Sequence, residues 1–287
     1  MAGGLVDQFP VARSLFDEAS SILGYDLIEL CRSGPADRLD ATEFSQPALF
    51  VVGVAAMEAL RECDPARVAN VTAAAGLSLG EYTAVCVAGG MTFADGVRVV
   101  QARGQAMQAA ADAVESGMAS VLGLSLDDLT GVCDSVRRDE EILRPANLLC
   151  PGNIAVSGHR SALSRLEPAA TEAGASRVIP LSVAGAFHTD LMASAVERLR
   201  EALDRVDLTK TAIPVYSNVD ASPHTSPDEI RDLLTRQVVG PVRWEDSLRR
   251  MIADGVQRFE EIGTGRVLRG TLKRIERKFP ADGFGDL

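Results

Sequence analysis

From Val11 onward, the apolar residues Val11, Leu15, Phe16, Ala19, Ile22 and Leu23 recur at helical spacing, and Gly24 then supplies a C-terminal stop. The stretch "QPALFVVGVAAMEALRE" is apolar on most of its sides, which predicts a buried helix closed by Pro65. "ARVANVTAAAG" is short, apolar and β-branched before its glycine. It predicts a buried parallel strand, followed by a helix over "LGEYTAVCVAGG" that ends at paired glycines. Thr92 is the expected N-cap of a long helix through "FADGVRVVQARGQAMQAAADA".

Between Met118 and Val183 the rhythm changes. A strand "MASVLGL", a helix from Ser125 with Asp128 in a capping-box position, strands near 144–150 and 153–157, a helix over 161–174 and a strand "SRVIPLSV" give the order βαββαβ. That order matches a ferredoxin-like unit. Alternation of helices and strands then resumes: helix 189–205, strand "AIPVYSN", helices 227–238 and 243–254, strand "VQRFEEIG" and a basic helix from Thr264. The expected fold class is α/β. Residues 1–116 and 184–287 would form a large parallel-sheet, hydrolase-like domain, and residues 117–183 an inserted ferredoxin-like subdomain.

At 287 residues the chain can bury a sizeable core, and its net charge of -11 argues against binding nucleic acid, which needs a basic surface to displace counterions. One basic stretch stands out. In "GRVLRGTLKRIERKF", Arg266, Arg269, Lys273, Arg274, Arg277 and Lys278 face a single acid, Glu276, so the segment is either a solvated helix end or a dock for an acidic partner. Cys31, Cys63, Cys86, Cys133 and Cys150 are widely spaced with no C-x-x-C pair, so neither a disulfide framework nor a metal site is expected. No leader pattern and no uncharged apolar run of about 18 residues is visible. The expectation is a soluble cytoplasmic monomer with no membrane association.

Candidate chemistry begins at "GLSLGE", where Ser78 sits between Gly76 and Gly80 at a strand-to-helix junction. That placement reads as a nucleophile elbow, with Leu79 N–H as an oxyanion donor and the two glycines removing side chains that would collide in the turn. A Gly/Ser turn at a strand end is an equal alternative. A nucleophilic serine needs a base. Of the three histidines, His224 lies in a Ser/Pro loop and reads as solvated, while His159 opens a helix of the small subdomain. His188 in "GAFHTDLM" follows a strand and starts a helix returning to the large domain; from position alone it is as readily structural as catalytic.

Taken together, "GLSLGEYTA", "VQARGQAM", "GAFHTDLM" and "RQVVGPVRW", in that order and spacing, resemble the malonyl-CoA:acyl-carrier-protein transacylase family over residues 8 to 278. The resemblance implies ping-pong transfer with no bound cofactor. Ser78 would take malonyl from malonyl-CoA as an ester and pass it to the phosphopantetheine thiol of acyl carrier protein. His188 would serve as base and then acid, oriented by the main-chain carbonyl of Gln237. Arg103 would grip the free malonyl carboxylate, Phe187 would exclude an α-methyl branch, and Asn147 would line the site from the small subdomain.

Two departures from the family pattern stand out. Leu77 occupies a position that is often histidine, and is read as tolerated variation. The chain also begins with "MAGGLVDQFP", without the family's first strand and its "F-P-G-Q-G" loop, which predicts that Met1 is an internal methionine or that the chain is a fragment. Competing readings are a serine hydrolase or thioesterase of the α/β-hydrolase type, and a catalytically impaired carrier-protein-binding module.

Overall fold

The computed structural model describes residues 2–285. The Thr42–Cys63 helix is the axis of the large domain: Ala48, Phe50 through Met57, Ala59 and Leu60 are all buried. By length and composition this helix could cross a membrane, yet 72% of its apolar window is buried inside the fold. Helices Pro10–Leu23, Leu79–Val87 and Phe93–Asp112 pack around it, which is why it is apolar on nearly every side. Gly24 caps the Pro10–Leu23 helix in the left-handed region, and Thr92 Oγ1 accepts from Asp95 N at 3.1 Å to start the Phe93–Asp112 helix. That last helix makes a close approach at Gly104, where a Cβ would lie 2.8 Å from Thr42 O. The residue before it, Arg103, is thereby carried into the interior.

The parallel sheet is much shorter than the sequence pattern predicts. The strand expected over 66–76 is confined to Ala74–Ala75, which runs parallel to Val215–Tyr216. Asp64 caps Arg67 N, and Pro65 opens a short helix to Val68, so a helix-start signal overrides the β-branched residues. Val71 and Thr72 are exposed rather than buried. Val215–Tyr216 also pairs antiparallel with Pro223–His224, a strand the pattern does not predict. A separate parallel pair joins Phe259–Ile262 to Ala281–Phe284. The large domain is thus mainly helical, with two small sheets in place of one broad one.

The βαββαβ segment forms a four-stranded antiparallel sheet in the order Leu143–Cys150, Asn153–His159, Ser116–Leu122, Arg177–Pro180. This is the strand order of a ferredoxin-like unit. Ser125 caps helix Leu126–Val136 as expected, its Oγ accepting from Asp128 N at 3.2 Å, but it meets the Asp128 carboxylate through its hydroxyl, which donates to Oδ2 at 2.6 Å, and not through its backbone N–H. That helix and Arg160–Glu172 contribute Leu129, Val132, Leu166 and Ala170 to a core of their own with Leu143 and Val156. The pairing of this edge strand with its neighbour shifts register between Pro145 and Asn147. There Val242 N donates to Ala146 O at 2.7 Å and Leu148 N donates to Val242 O at 2.9 Å. The small sheet is in this way tied to the segment just beyond Gln237.

Candidate active site

Ser78 is the N-cap of the Leu79–Val87 helix, with φ 49° and ψ -104°. A non-glycine residue holds such a backbone only where its surroundings impose it. Here Asn218 does so with both ends of its amide: its Oδ1 accepts from Ser78 N at 2.7 Å and its Nδ2 donates to Gly76 O at 2.8 Å. A Cβ on Gly76 would lie 2.0 Å from the Gly80 carbonyl carbon, so this turn closes only around glycine. The same expectation for Gly80 is corrected, because a Cβ there meets nothing within 4 Å. Gly80 N and Glu81 N donate to Leu77 O and Ser78 O. Leu79 N–H, in the first turn, has no acceptor within its own helix and can serve an oxyanion. The Leu79 side chain is buried in the main core, and Leu77 packs in the cluster around Trp244.

His188 Nε2 lies 2.9 Å from Ser78 Oγ, and His188 Nδ1 lies 2.8 Å from Gln237 O. A carbonyl oxygen only accepts, so Nδ1 carries the proton and Nε2 presents its lone pair to the serine hydroxyl. His188 is buried and sits at φ 62°. Burial, followed by the positive charge of Arg103, pushes its pKa down to about 4, which keeps the imidazole unprotonated, with its Nε2 lone pair free, at neutral pH. The preceding residue, Phe187, packs against Met118, Ala146 and Ala155 of the small subdomain. The other two histidines lie apart. His159 Nδ1 accepts from Ile142 N at the start of the Arg160–Glu172 helix. His224, expected to be solvated, is only 17% exposed, with its ring nitrogens on Asp220 and Glu229. The strand pairing of Pro223–His224 draws that loop inward.

Arg103 is 1% exposed. Its Nη1 donates to Gln46 Oε1 at 2.6 Å, and its Nη2 donates to Gln237 Oε1 at 2.9 Å and to Ser78 Oγ at 3.0 Å. The guanidinium also lies over the Tyr82 ring, 5.1 Å from its centroid. Among the described residues no carboxylate pairs with it directly, and its buried Nε has no hydrogen-bond partner. Burial lowers its pKa, as expected of a cation whose direct contacts are neutral, although Tyr82 and the nearby Glu81 act in the opposite direction. Such an arrangement is costly unless an anion is meant to join it. Ser78 Oγ therefore accepts from Arg103 while donating to His188.

The fold thus brings Ser78, His188, Arg103 and Gln237 into one hydrogen-bonded cluster, with Leu79 and Phe187 adjoining it in sequence. Asn147 is bridged to Val242, and its buried Oδ1 has no hydrogen-bond partner. Sequence reasoning missed Gln46, Glu81 and Asn218, and took Gln237 only for its main chain. One of these left a visible signal, since Glu81 is the single charged residue of the Leu79–Val87 helix. Among the described residues, no group of three or more His, Cys, Asp or Glu could hold a metal ion. The basic C-terminal segment forms the Val267–Ile275 helix, on which Arg269 is occupied by Glu261, while Lys273, Arg274, Arg277 and Lys278 are exposed.

An acyl transferase domain model matches residues 1–277. The chain is 39% identical over its whole length to the malonyl CoA-acyl carrier protein transacylase of Bacillus subtilis, covering 89% of that protein. It is 40% identical over 95% of its length to the human mitochondrial malonyl-CoA-acyl carrier protein transacylase, covering 73% of that relative. Among solved structures, the acyl carrier protein S-malonyltransferase of Vibrio cholerae superposes with a TM-score of 0.93 at 35% identity, covering 100% of this chain and 92% of that one. A malonyl-transacylase solved in complex with a type II PKS acyl-carrier protein superposes with a TM-score of 0.94 at 35% identity, again over 100% and 92%. A serine elbow, a histidine on a main-chain carbonyl and an interior arginine, in a chain this similar over this length, leave one conclusion: it belongs to the acyl transferase domain family, with the malonyl-CoA:acyl-carrier-protein transacylases.

Proposed function

We propose that this chain transfers a malonyl group from malonyl-CoA to the phosphopantetheine thiol of acyl carrier protein, in fatty-acid synthesis, through an ester on Ser78. His188 Nε2 takes the Ser78 proton as Oγ attacks the thioester carbonyl. Leu79 N–H stabilises the oxyanion, and a donor of this kind contributes about 3 kcal/mol. As the C–S bond breaks, the imidazolium returns the proton to the departing CoA sulfur. In the second half-reaction His188 takes the proton from the incoming thiol, which attacks the ester, and hands it back to Ser78 as the ester breaks. Protons and bonds balance without any cofactor.

Arg103 holds the free carboxylate of the malonyl group, a task suited to its two parallel N–H donors. Phe187 fills the space an α-methyl branch would need, and Asn147 lines the site from the small subdomain. The exposed Lys273, Arg274, Arg277 and Lys278 offer an acidic carrier protein a surface to dock on. The single observation that supports this reading best is the buried guanidinium 3.0 Å from the nucleophile and held only by amides and a hydroxyl, because a hydrolase has no use for it.

Incubation with malonyl-CoA in the presence and absence of holo acyl carrier protein tests it. The expected result is malonylated carrier in the first case and little free malonate in the second. Steady release of malonate without the carrier would favour a hydrolase, and carrier binding without acylation would favour a binding module.

A further inference from the structure

Glu81 is a buried acid that the steps above leave without a task. It lies on the helix behind Ser78 and is 2% exposed. One of its oxygens, Oε2, accepts from Asn218 N at 3.0 Å and from Gln237 Nε2 at 2.6 Å. Both donors belong to residues that shape the reacting groups. Asn218 clamps the elbow on either side of Leu77, at Gly76 O and Ser78 N. Gln237 supplies the side-chain oxygen for Arg103 and the main-chain oxygen for His188.

The orientation of the Gln237 amide follows from these contacts. A main-chain carbonyl only accepts, so Ser78 O, at 3.0 Å, requires the amide NH2 on its side, and the same NH2 meets Glu81 Oε2, which also accepts from Asn218 N. The amide oxygen is thereby turned toward Arg103 Nη2. Rotating the amide by half a turn would set its NH2 against the guanidinium and its oxygen against two other oxygens. A purely structural acid would be satisfied by any two donors; these two lead directly to the nucleophile's backbone and to the cation.

We propose that Glu81 is a positioning residue for recognition of the malonyl carboxylate: by fixing the Gln237 amide, it holds the Arg103 fork in the register that receives the substrate's free end. The assignment rests on the transfer reading given above. Glu81 touches no substrate atom and acts on Arg103 through Gln237.

The test compares acyl-enzyme formation from malonyl-CoA and from acetyl-CoA in the wild type, Glu81→Leu and Glu81→Gln. Glu81→Leu lowers kcat/KM for malonyl-CoA by roughly ten- to one-hundred-fold, the size of a lost hydrogen bond to a charged group, and lowers acetyl loading far less. Glu81→Gln retains an oxygen that can accept the same two bonds and keeps the malonyl-to-acetyl ratio close to that of the wild type. An equal fall for both substrates in Glu81→Leu, or the same ratio loss in both variants, overturns the proposal. If Glu81→Leu does not fold, Gln237→Leu removes the same amide while retaining the carbonyl that His188 needs, and an unchanged ratio there overturns it equally. A wild type that takes up no malonyl group overturns the transfer reading and this assignment with it. Normal wild-type loading with unaltered variant ratios overturns this assignment alone.

Discussion

Arg103 Nη2 donates to Ser78 Oγ at 3.0 Å, with the arginine fully enclosed and no direct carboxylate partner among the described residues. The nearest buried acid, Glu81, reaches the guanidinium only through the Gln237 amide, so burying this charge costs stability that a bound anion recovers. Arg103→Met removes that cost. We predict a higher Tm for the variant in thermal unfolding, together with a loss of malonyl loading far larger than any loss of acetyl loading. Equal loss for the two acyl groups would contradict the carboxylate role. Arg103→Lys should recover little, because one ammonium cannot reproduce the fork that meets Gln46, Gln237 and Ser78 at once.

The two glycines of the elbow differ in what they must accommodate. A methyl group on Gly76 would meet backbone at 2.0 Å, whereas one on Gly80 meets nothing. Gly76→Ala is expected to cost about 1 to 3 kcal/mol and to displace Ser78 from His188. Gly80→Ala lies in the first turn of a helix and should be neutral, or stabilising by about 0.5 kcal/mol. Thermal unfolding of the two variants checks this, and similar losses for both would contradict the turn geometry.

Two buried titratable groups make opposite contributions to pH dependence. Burial holds His188 at about 4, below its ordinary 6.5, so the unfolded chain binds that proton more readily and stability falls as pH drops from 6.5 to 4. Burial raises Glu81 from 4.5 to about 7, against the hydrogen bonds from Asn218 and Gln237, so the folded state binds that proton more readily and stability falls as pH rises from 4.5 to 7. Glu81→Gln removes only the second contribution. Measured against the wild type, its relative stability should rise across pH 4.5 to 7 by up to about 3 kcal/mol. A difference that stays constant with pH would contradict the buried, ionisable state assigned to Glu81.

Much of this architecture was legible in the residues. Gly24, Thr92 and the Ser125–Asp128 pair act where local chemistry dictates, because caps are decided within one turn of chain. The βαββαβ order was readable because each of its elements carries its own period. The large-domain sheet was not: Asp64 and Pro65 start a helix where Val68 and Val71 suggested a strand. At the site, Ser78 and His188 could be named because a glycine-flanked serine and scarce histidines mark themselves. Asn218 and the Gln237 side chain could not, since their value lies in meeting Ser78 and Glu81 across more than a hundred residues, and periodicity carries no trace of such a meeting.

The most direct measurement of the central claim is intact-mass spectrometry after a brief malonyl-CoA pulse on the wild type and on Ser78→Ala. The account predicts one malonyl adduct on the wild type, mapped to Ser78 and discharged by the thiol of holo acyl carrier protein, with no adduct on the variant. A malonyl adduct on Ser78→Ala, or a wild type that remains unmodified, would contradict it.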